Sequence, residues 1–197
     1  MPEWTMGLIS QLNEMDDRAG KLVDGISVEQ LNWQPAEGAW SVGQCLDHLC
    51  ATNDVYLPPL ADALEGKAKG TVEEIRPGWF GRLFLKKVIE PSAESIRAKA
   101  PKKIVPASRV DGSVMERFLA GNQKLRKLIE RASEYDVNRI RFRNPFIAVI
   151  RFTVGTGFAI VTRHQHRHLL QAERVKASGG FPRVVMPLRR KRSNRQA

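Results

Sequence analysis

Cysteine is scarce in this chain of 197 residues, which has only two. Cys45 and Cys50 fall in one segment with helical character, where a spacing of five points their side chains to different faces. They do not pair readily with each other, because a disulfide needs close and converging side chains. A fold without disulfides is typical of a reducing compartment, so we predict a cytoplasmic protein.

Long apolar runs are also missing. The longest, at 146–161, contains Arg151 and two glycines and is too short to span a bilayer. The amino terminus lacks the basic region and apolar stretch of a secretory signal. We therefore expect no membrane association. The length predicts one domain with a substantial core.

Acidic residues are absent from the end of the chain. From Arg174 onward there are eight Lys and Arg residues and no Asp or Glu, and the whole chain has a net charge of +11. The run at 189–192 is compatible with nucleic acid or an anionic membrane, but such runs are more often solvated, disordered termini. Because no recognition motif accompanies the charge, we expect no specific nucleic-acid binding. We predict a domain at 1–182 and a basic, disordered tail at 183–197.

The remaining pattern predicts helices. Apolar residues recur at helical spacing over 4–22, which indicates a first long helix. Capping-box spacing, in which a Ser precedes Glu or Gln by three residues, predicts further helix starts at Ser27, Ser41 and Ser113. The helix after Ser41 is expected to kink or end at Pro58 and Pro59.

Two later stretches complete the predicted fold. A long connection at 66–111, with an amphipathic piece at 79–85, separates the second and third long helices. Asn144 and Pro145 break the chain before the last helix, which begins among residues 153–157. No segment shows the alternation expected of a strand. The sequence thus predicts an all-α fold with a long connection between its second and third long helices.

All four histidines lie in two helical segments. His164 and His168 are four residues apart and therefore lie on one helix face, where a metal ion can bridge them. His48 lies on a second helix, and His166 should face away from the pair. A lone histidine on a helix is more often a surface or hydrogen-bonded core residue. Asp47 points elsewhere than His48, so it is a poor fourth ligand.

These residues belong to two separated motifs. The matching residues are Trp33-Gln34-Pro35, Gly38-Ala39-Trp40-Ser41-Val42-Gly43-Gln44, His48-Leu49, His164-x-x-x-His168-x-x-Gln171, Arg174-Val175 and Gly180-Phe181-Pro182. In their order and spacing the chain resembles the DinB/YfiT-like superfamily of metal-binding helical bundles. The resemblance implies an antiparallel four-helix bundle, and a divalent metal site formed by His48, His164 and His168.

A set of three histidines leaves a coordination position open, as catalytic zinc sites do. Imidazole also suits other transition metals, so we expect zinc, nickel or iron. Gln44 and Gln171, each about one turn from a histidine, are candidates to orient the second ring nitrogens. Their alternative role is ordinary helix polarity. Cys45 is interpreted as core packing, and no catalytic residue is identified.

The resemblance leaves the activity open, since the superfamily includes thiol transferases, a thiol-dependent isomerase and hydrolase-like members. Our leading hypothesis is a metal-dependent transferase that uses a low-molecular-weight thiol and an electrophile. The alternative is a non-catalytic metal-binding bundle with a sensing, storage or stress-related role. Trp33, Trp40 and Tyr56 line either a pocket or the core, and the core is favoured for the two tryptophans. A homodimer through exposed apolar surface of the long connection is a further expectation.

Overall fold

The computed structural model describes residues 1–90 and 100–182 of the chain, which are mostly helical. The predicted tail at 183–197 lies outside the described residues. The α-helices are α1 (Glu3–Val23), α2 (Val28–Leu31), α3 (Val42–Asp62), α4 (Trp79–Phe84), α5 (Val114–Ala132) and α6 (Val154–Lys176). A π-helical turn (Leu85–Ile89) continues α4, and a 3-10 turn (Lys102–Ile104) precedes α5. No described helix is long and apolar enough to cross a membrane.

Two of the three predicted capping boxes are confirmed. At α2, the Gln30 backbone N–H donates to Ser27 Oγ at 3.2 Å, and Gln30 Oε1 accepts from the Ser27 backbone at 2.7 Å. Ser41 and Gln44 form the same pair of bonds at the start of α3. These reciprocal bonds satisfy N–H groups that a first helical turn leaves free.

The third capping box, at Ser113, is wrong. The hydroxyl of Ser113 donates to Asp111 Oδ1, and the Ser113 backbone N–H bonds to the same oxygen at 2.8 Å. The hydroxyl makes no cap bond to α5, and Ser113 itself has helical backbone angles. Asp111 thus takes the hydroxyl that a capping box would need, although α5 still begins at the next residue.

The mostly helical structure is consistent with the predicted all-α fold, but it includes two short strands that the sequence did not indicate. Strands β1 (Arg141–Arg143) and β2 (Arg151–Thr153) pair antiparallel, with Phe142 opposite Phe152. Both phenylalanines are buried, whereas the arginines beside them are exposed. Three residues per strand are too few for the alternation to stand out in the sequence.

The predicted break of the second long helix at the prolines is not seen as a helix end. Pro58 and Pro59 lie inside α3, which continues to Asp62. A proline removes one backbone donor and clashes with the carbonyl one turn earlier. Both prolines are among the last five residues of α3, so the helix ends three residues after Pro59 rather than at it.

The four long helices surround the core. Contacts join α3 to α5 and α6, and α1 to α5 and α6. One apolar cluster includes Leu12, Leu60 and Phe158, and a second includes Leu46 and Leu169. All four long helices contribute residues to both clusters.

Gly157 allows α6 to pack closely on its neighbours. A Cβ at this position would lie 2.6 Å from Leu60 Cδ2 and 2.7 Å from Phe142 Cε1. Neither distance is compatible with a real side chain, so this glycine sets the spacing between α6, α3 and β1.

Candidate metal centre

Helices α3 and α6 bring three of the four histidines together. His48 projects from α3, and His164 and His168 project from α6. One candidate ligand atom from each ring lies within 4.8 Å of the others. The group that the described residues form contains no cysteine or carboxylate. His48 and His168 are buried, and His164 is half-buried.

The closest approach is between His48 Nε2 and His164 Nε2, at 3.2 Å. Two nitrogens bound to one tetrahedral zinc ion, each at about 2.0–2.1 Å, lie roughly 3.3 Å apart. The observed separation therefore matches two ligands of one ion. The His168 ring lies at a centroid distance of 4.5 Å from each of the other two rings.

In two of the histidines, ring nitrogen Nδ1 lies within hydrogen-bonding distance of an acceptor oxygen. His48 Nδ1 lies 2.5 Å from the carbonyl oxygen of Ile104, and His168 Nδ1 lies 3.0 Å from Gln171 Oε1. Since both oxygens only accept, each Nδ1 donates and each Nε2 keeps a free lone pair. This is the tautomer that an Nε2-bound metal requires.

Of the two glutamines that we predicted to orient histidine rings, only Gln171 contacts one. Gln171 lies against His168, as described above. The Gln44 amide bonds to Ser41 in its capping box, to Gln34 at 2.9 Å and to the Ala107 carbonyl at 3.1 Å. Ile104, rather than Gln44, contacts His48 Nδ1. Sequence reasoning missed Ile104 because a backbone carbonyl leaves no signal in the residue types.

Burial favours the neutral form of all three imidazoles. Burial lowers the pKa of His168 to about 3, with the charge of His48 as the next cause. It also lowers the pKa of His164 well below its usual range, and that of His48 less, since the Ile104 carbonyl opposes the shift. Neutral rings offer their lone pairs to a cation at physiological pH.

His164 Nδ1 is buried and has no hydrogen-bond partner within the described part of the chain. A metal ion bound through His164 Nε2, the nitrogen that approaches His48, would leave this Nδ1 unpaired, so the fit depends on the set of three neutral imidazoles and on the Nε2 separation. A divalent transition metal suits this donor set, because imidazole nitrogen is among its preferred ligands. The residues present therefore fit a metal ion.

Trp40 forms an apolar wall of the centre. Its ring lies 4.7 Å from the His48 ring and 5.6 Å from the His168 ring, between centroids. It also packs against the second apolar cluster, as the core interpretation predicts. Trp33 packs edge-on against Phe181, and Tyr56 is buried in the first cluster.

The remaining candidate groups point away from the imidazoles. His166 Nδ1 lies 3.0 Å from Arg18 Nη1. Asp47 accepts from the Ala107 backbone and from Arg117, both at 2.8 Å. Cys45 is a free thiol in the second apolar cluster, and burial raises its pKa to about 12. None of these groups joins the cluster of ligand atoms.

Two cavities lie beside α1 and α6, with volumes of ≈ 400 Å³ and ≈ 360 Å³. Trp4 lines the first, His166 lines the second and Arg163 lines both. Neither is lined by His48, His164 or His168. The geometry of the imidazoles, rather than these cavities, therefore marks the candidate site.

Comparison with known proteins gives one match. A family model described as the DinB superfamily matches residues 11–172, which include all three histidines, the whole of α3 and α6 as far as Ala172. Neither curated proteins nor solved structures gave a match. Because the family model covers most of the chain, the chain belongs to the DinB superfamily.

Proposed function

We propose that this protein binds one divalent metal ion through His48, His164 and His168. The observation that carries the proposal is that three imidazole nitrogens, one from α3 and two from α6, lie within 4.8 Å of one another. Membership of the DinB superfamily supports it. The test is the metal content of the protein and of its single-histidine variants, described at the end of the Discussion.

We also propose that α1, α3, α5 and α6 form an antiparallel four-helix bundle around this centre. Each of the four helices contacts at least two of the others, and the long connection follows α3. Short connections favour antiparallel neighbours, whereas a long connection allows a crossover. An experimental structure would test the arrangement directly.

For the activity, we propose a transferase that uses a low-molecular-weight thiol. A divalent ion in the centre supplies a positive charge that lowers the pKa of a bound thiol, giving a nucleophile at neutral pH. The chain holds His48 and His168 in the required tautomer through Ile104 and Gln171. The apolar ring of Trp40 lies against the rings of His48 and His168. No carboxylate joins the described ligand cluster, which favours thiol transfer over hydrolysis by a general base.

The transferase is tested with a chosen pair of reactants. Glutathione and monobromobimane should react faster in the presence of the zinc-loaded wild type than in the presence of His168→Ala that has been treated with the same amount of zinc. Free cysteine replaces glutathione in a second arm, so that thiol preference is measured. Equal rates for the two proteins in every arm would remove the transferase proposal.

The second candidate is a non-catalytic metal-binding bundle with a sensing, storage or stress-related role. It is favoured by one observation, that His48 and His168 are buried, which limits the access of a substrate to the centre. An enzyme needs a pocket that reaches the open coordination position. Stoichiometric metal without thiol-dependent turnover would support this candidate.

The expected homodimer and cytoplasmic location stay proposals. Trp79 and Leu83 of α4 are exposed, at 72% and 41%, on the long connection where we expect dimer contacts. Light scattering of the purified protein would give the molecular mass, and Trp79→Ala with Leu83→Ala should shift it toward a monomer. Fractionation of cells that express the protein would test its location.

A further inference from the structure

Three amide side chains form a buried cluster between α3, α5 and α6. Asn53 of α3, Asn122 of α5 and Gln165 of α6 have exposed fractions of 0%, 0% and 1%. Gln165 Nε2 donates to Asn122 Oδ1 at 2.7 Å and to Asn53 Oδ1 at 3.2 Å. Asn53 Nδ2 donates to Asn122 Oδ1 at 3.1 Å. The cluster thus joins the two histidine-bearing helices to each other and to α5.

The cluster extends to the fourth long helix. Asn122 Nδ2 donates to Asp16 Oδ1 of α1 at 2.6 Å. Arg126 Nη1 donates to the other oxygen of Asp16 at 2.8 Å. A single chain of polar contacts therefore links all four long helices.

Gly121 lets the α5 backbone pack closely against the Asn53 amide. A Cβ at this glycine would lie 2.9 Å from Asn53 Nδ2, closer than side chains approach each other. The α5 backbone thus packs directly on the amide. Asn53 has little room to reorient, so its bonds to α5 and α6 hold in one arrangement of the helices.

Stability alone does not explain these amides. Gln165 Oε1 is buried and has no partner among the residues that the structure describes. An apolar side chain would fill the same space without leaving a buried acceptor unpaired. Buried polar groups are favoured where they select one register, because sliding or rotating a helix would break their bonds.

We infer that the cluster of Asn53, Asn122 and Gln165 positions the three imidazoles. Gln165 directly follows His164 in α6, and Asn53 lies five residues after His48 in α3. Fixing these two amides against Asn122 fixes the rotation and register of α6 relative to α3. That register brings His164 and His168 to His48. The inference rests on the proposed metal function, and the three residues are positioning residues rather than ligands.

Two variants test the positioning role. Gln165→Met removes the amide at similar length, and Gly121→Ala pushes a Cβ against Asn53. Leu12→Ala is a control for lowered stability, because it removes core packing from α1, a helix that carries none of the three histidines. Gly20→Ala is a control for alanine in a helix, since nothing lies within 4 Å of its added Cβ.

The readouts are zinc affinity, measured by competition with a chelator, and the visible absorption of the cobalt-substituted protein. Gln165→Met and Gly121→Ala should bind zinc at least about tenfold more weakly, as loss of ligand orientation typically does. Their cobalt spectra should change, because those bands report coordination geometry. Leu12→Ala should unfold at lower temperature but keep its zinc affinity within about twofold, since distant sites act independently. Gly20→Ala should match the wild type.

The outcomes separate this inference from the proposed function. Wild-type protein that binds no zinc would overturn the metal function and this inference with it. Both cluster variants could instead keep the zinc affinity and cobalt spectrum of the wild type and show only lowered stability. That result would overturn the positioning role but not the proposed metal function. If Gln165→Met does not fold, Gly121→Ala decides by the same criteria.

Discussion

Acidification should destabilise the metal-free protein through His168. Burial lowers the pKa of this imidazole to about 3, from an ordinary value of 6.5 that the unfolded chain retains. Below 6.5 the unfolded state therefore binds a proton that the folded state does not. The contribution of His168 to stability is full above the unfolded pKa, and is lost as the pH falls toward the folded pKa.

The size of this loss of stability follows from the difference between the folded and unfolded pKa values of His168. At about pH 5.5, one unit below the unfolded pKa, the loss from His168 alone is about 1.4 kcal/mol in the free energy of unfolding. For a chain of this size the loss corresponds to a melting temperature lower by about 3–6 °C. His168→Gln removes the titrating group. On acidification to about pH 5.5, this variant should therefore lose about 1.4 kcal/mol less stability than the wild type.

The assay is urea unfolding of the metal-free protein, with a chelator present, at about pH 7.5 and about pH 5.5. His166→Gln is the matched control, because His166 contacts Arg18 rather than the other imidazoles. The wild type and His166→Gln should lose more stability on acidification than His168→Gln. An equal loss in all three proteins would refute the argument from burial.

Three further predictions concern packing, ligand orientation and thiol reactivity. Gly157→Ala should lower the free energy of unfolding by about 1–3 kcal/mol, because its Cβ would meet neighbouring side chains at 2.6 and 2.7 Å. Gly7→Ala, with nothing within 4 Å, should stabilise α1 by about 0.5–1 kcal/mol, and urea unfolding of both variants compares them. Gln171→Leu should weaken zinc binding about 10–100-fold without unfolding the protein, as a competition titration will measure. Cys45 and Cys50 should react with Ellman's reagent only after unfolding, because burial raises the pKa of both thiols to about 12.

The sequence predicted those parts of the fold that depend on local contacts. The helix starts at Ser27 and Ser41 follow from residues three apart, and both form as expected. The helix start at Ser113 is also confirmed, but its capping box does not form, since Asp111 takes the hydroxyl. The strand pair depends on Phe142 meeting Phe152 in the core, and such non-local packing is not visible in a short segment.

For the candidate site, too, the sequence predicted local spacing but not the packing between helices. The spacing of His164 and His168 places both on one helix face, but their meeting with His48 depends on how α6 packs on α3. The family resemblance, rather than periodicity, supplied that pairing. The Ile104 carbonyl and the Asn53 cluster were not predicted, because each acts through a contact between segments distant in sequence.

The most direct test of the proposed metal function is elemental analysis of protein purified without a metal-affinity tag. Wild type and His166→Ala should each contain about one divalent ion per chain, as one three-histidine site predicts. His48→Ala, His164→Ala and His168→Ala should each lose most of that metal while remaining folded by circular dichroism. Stoichiometric metal in His48→Ala and His164→Ala would contradict the account.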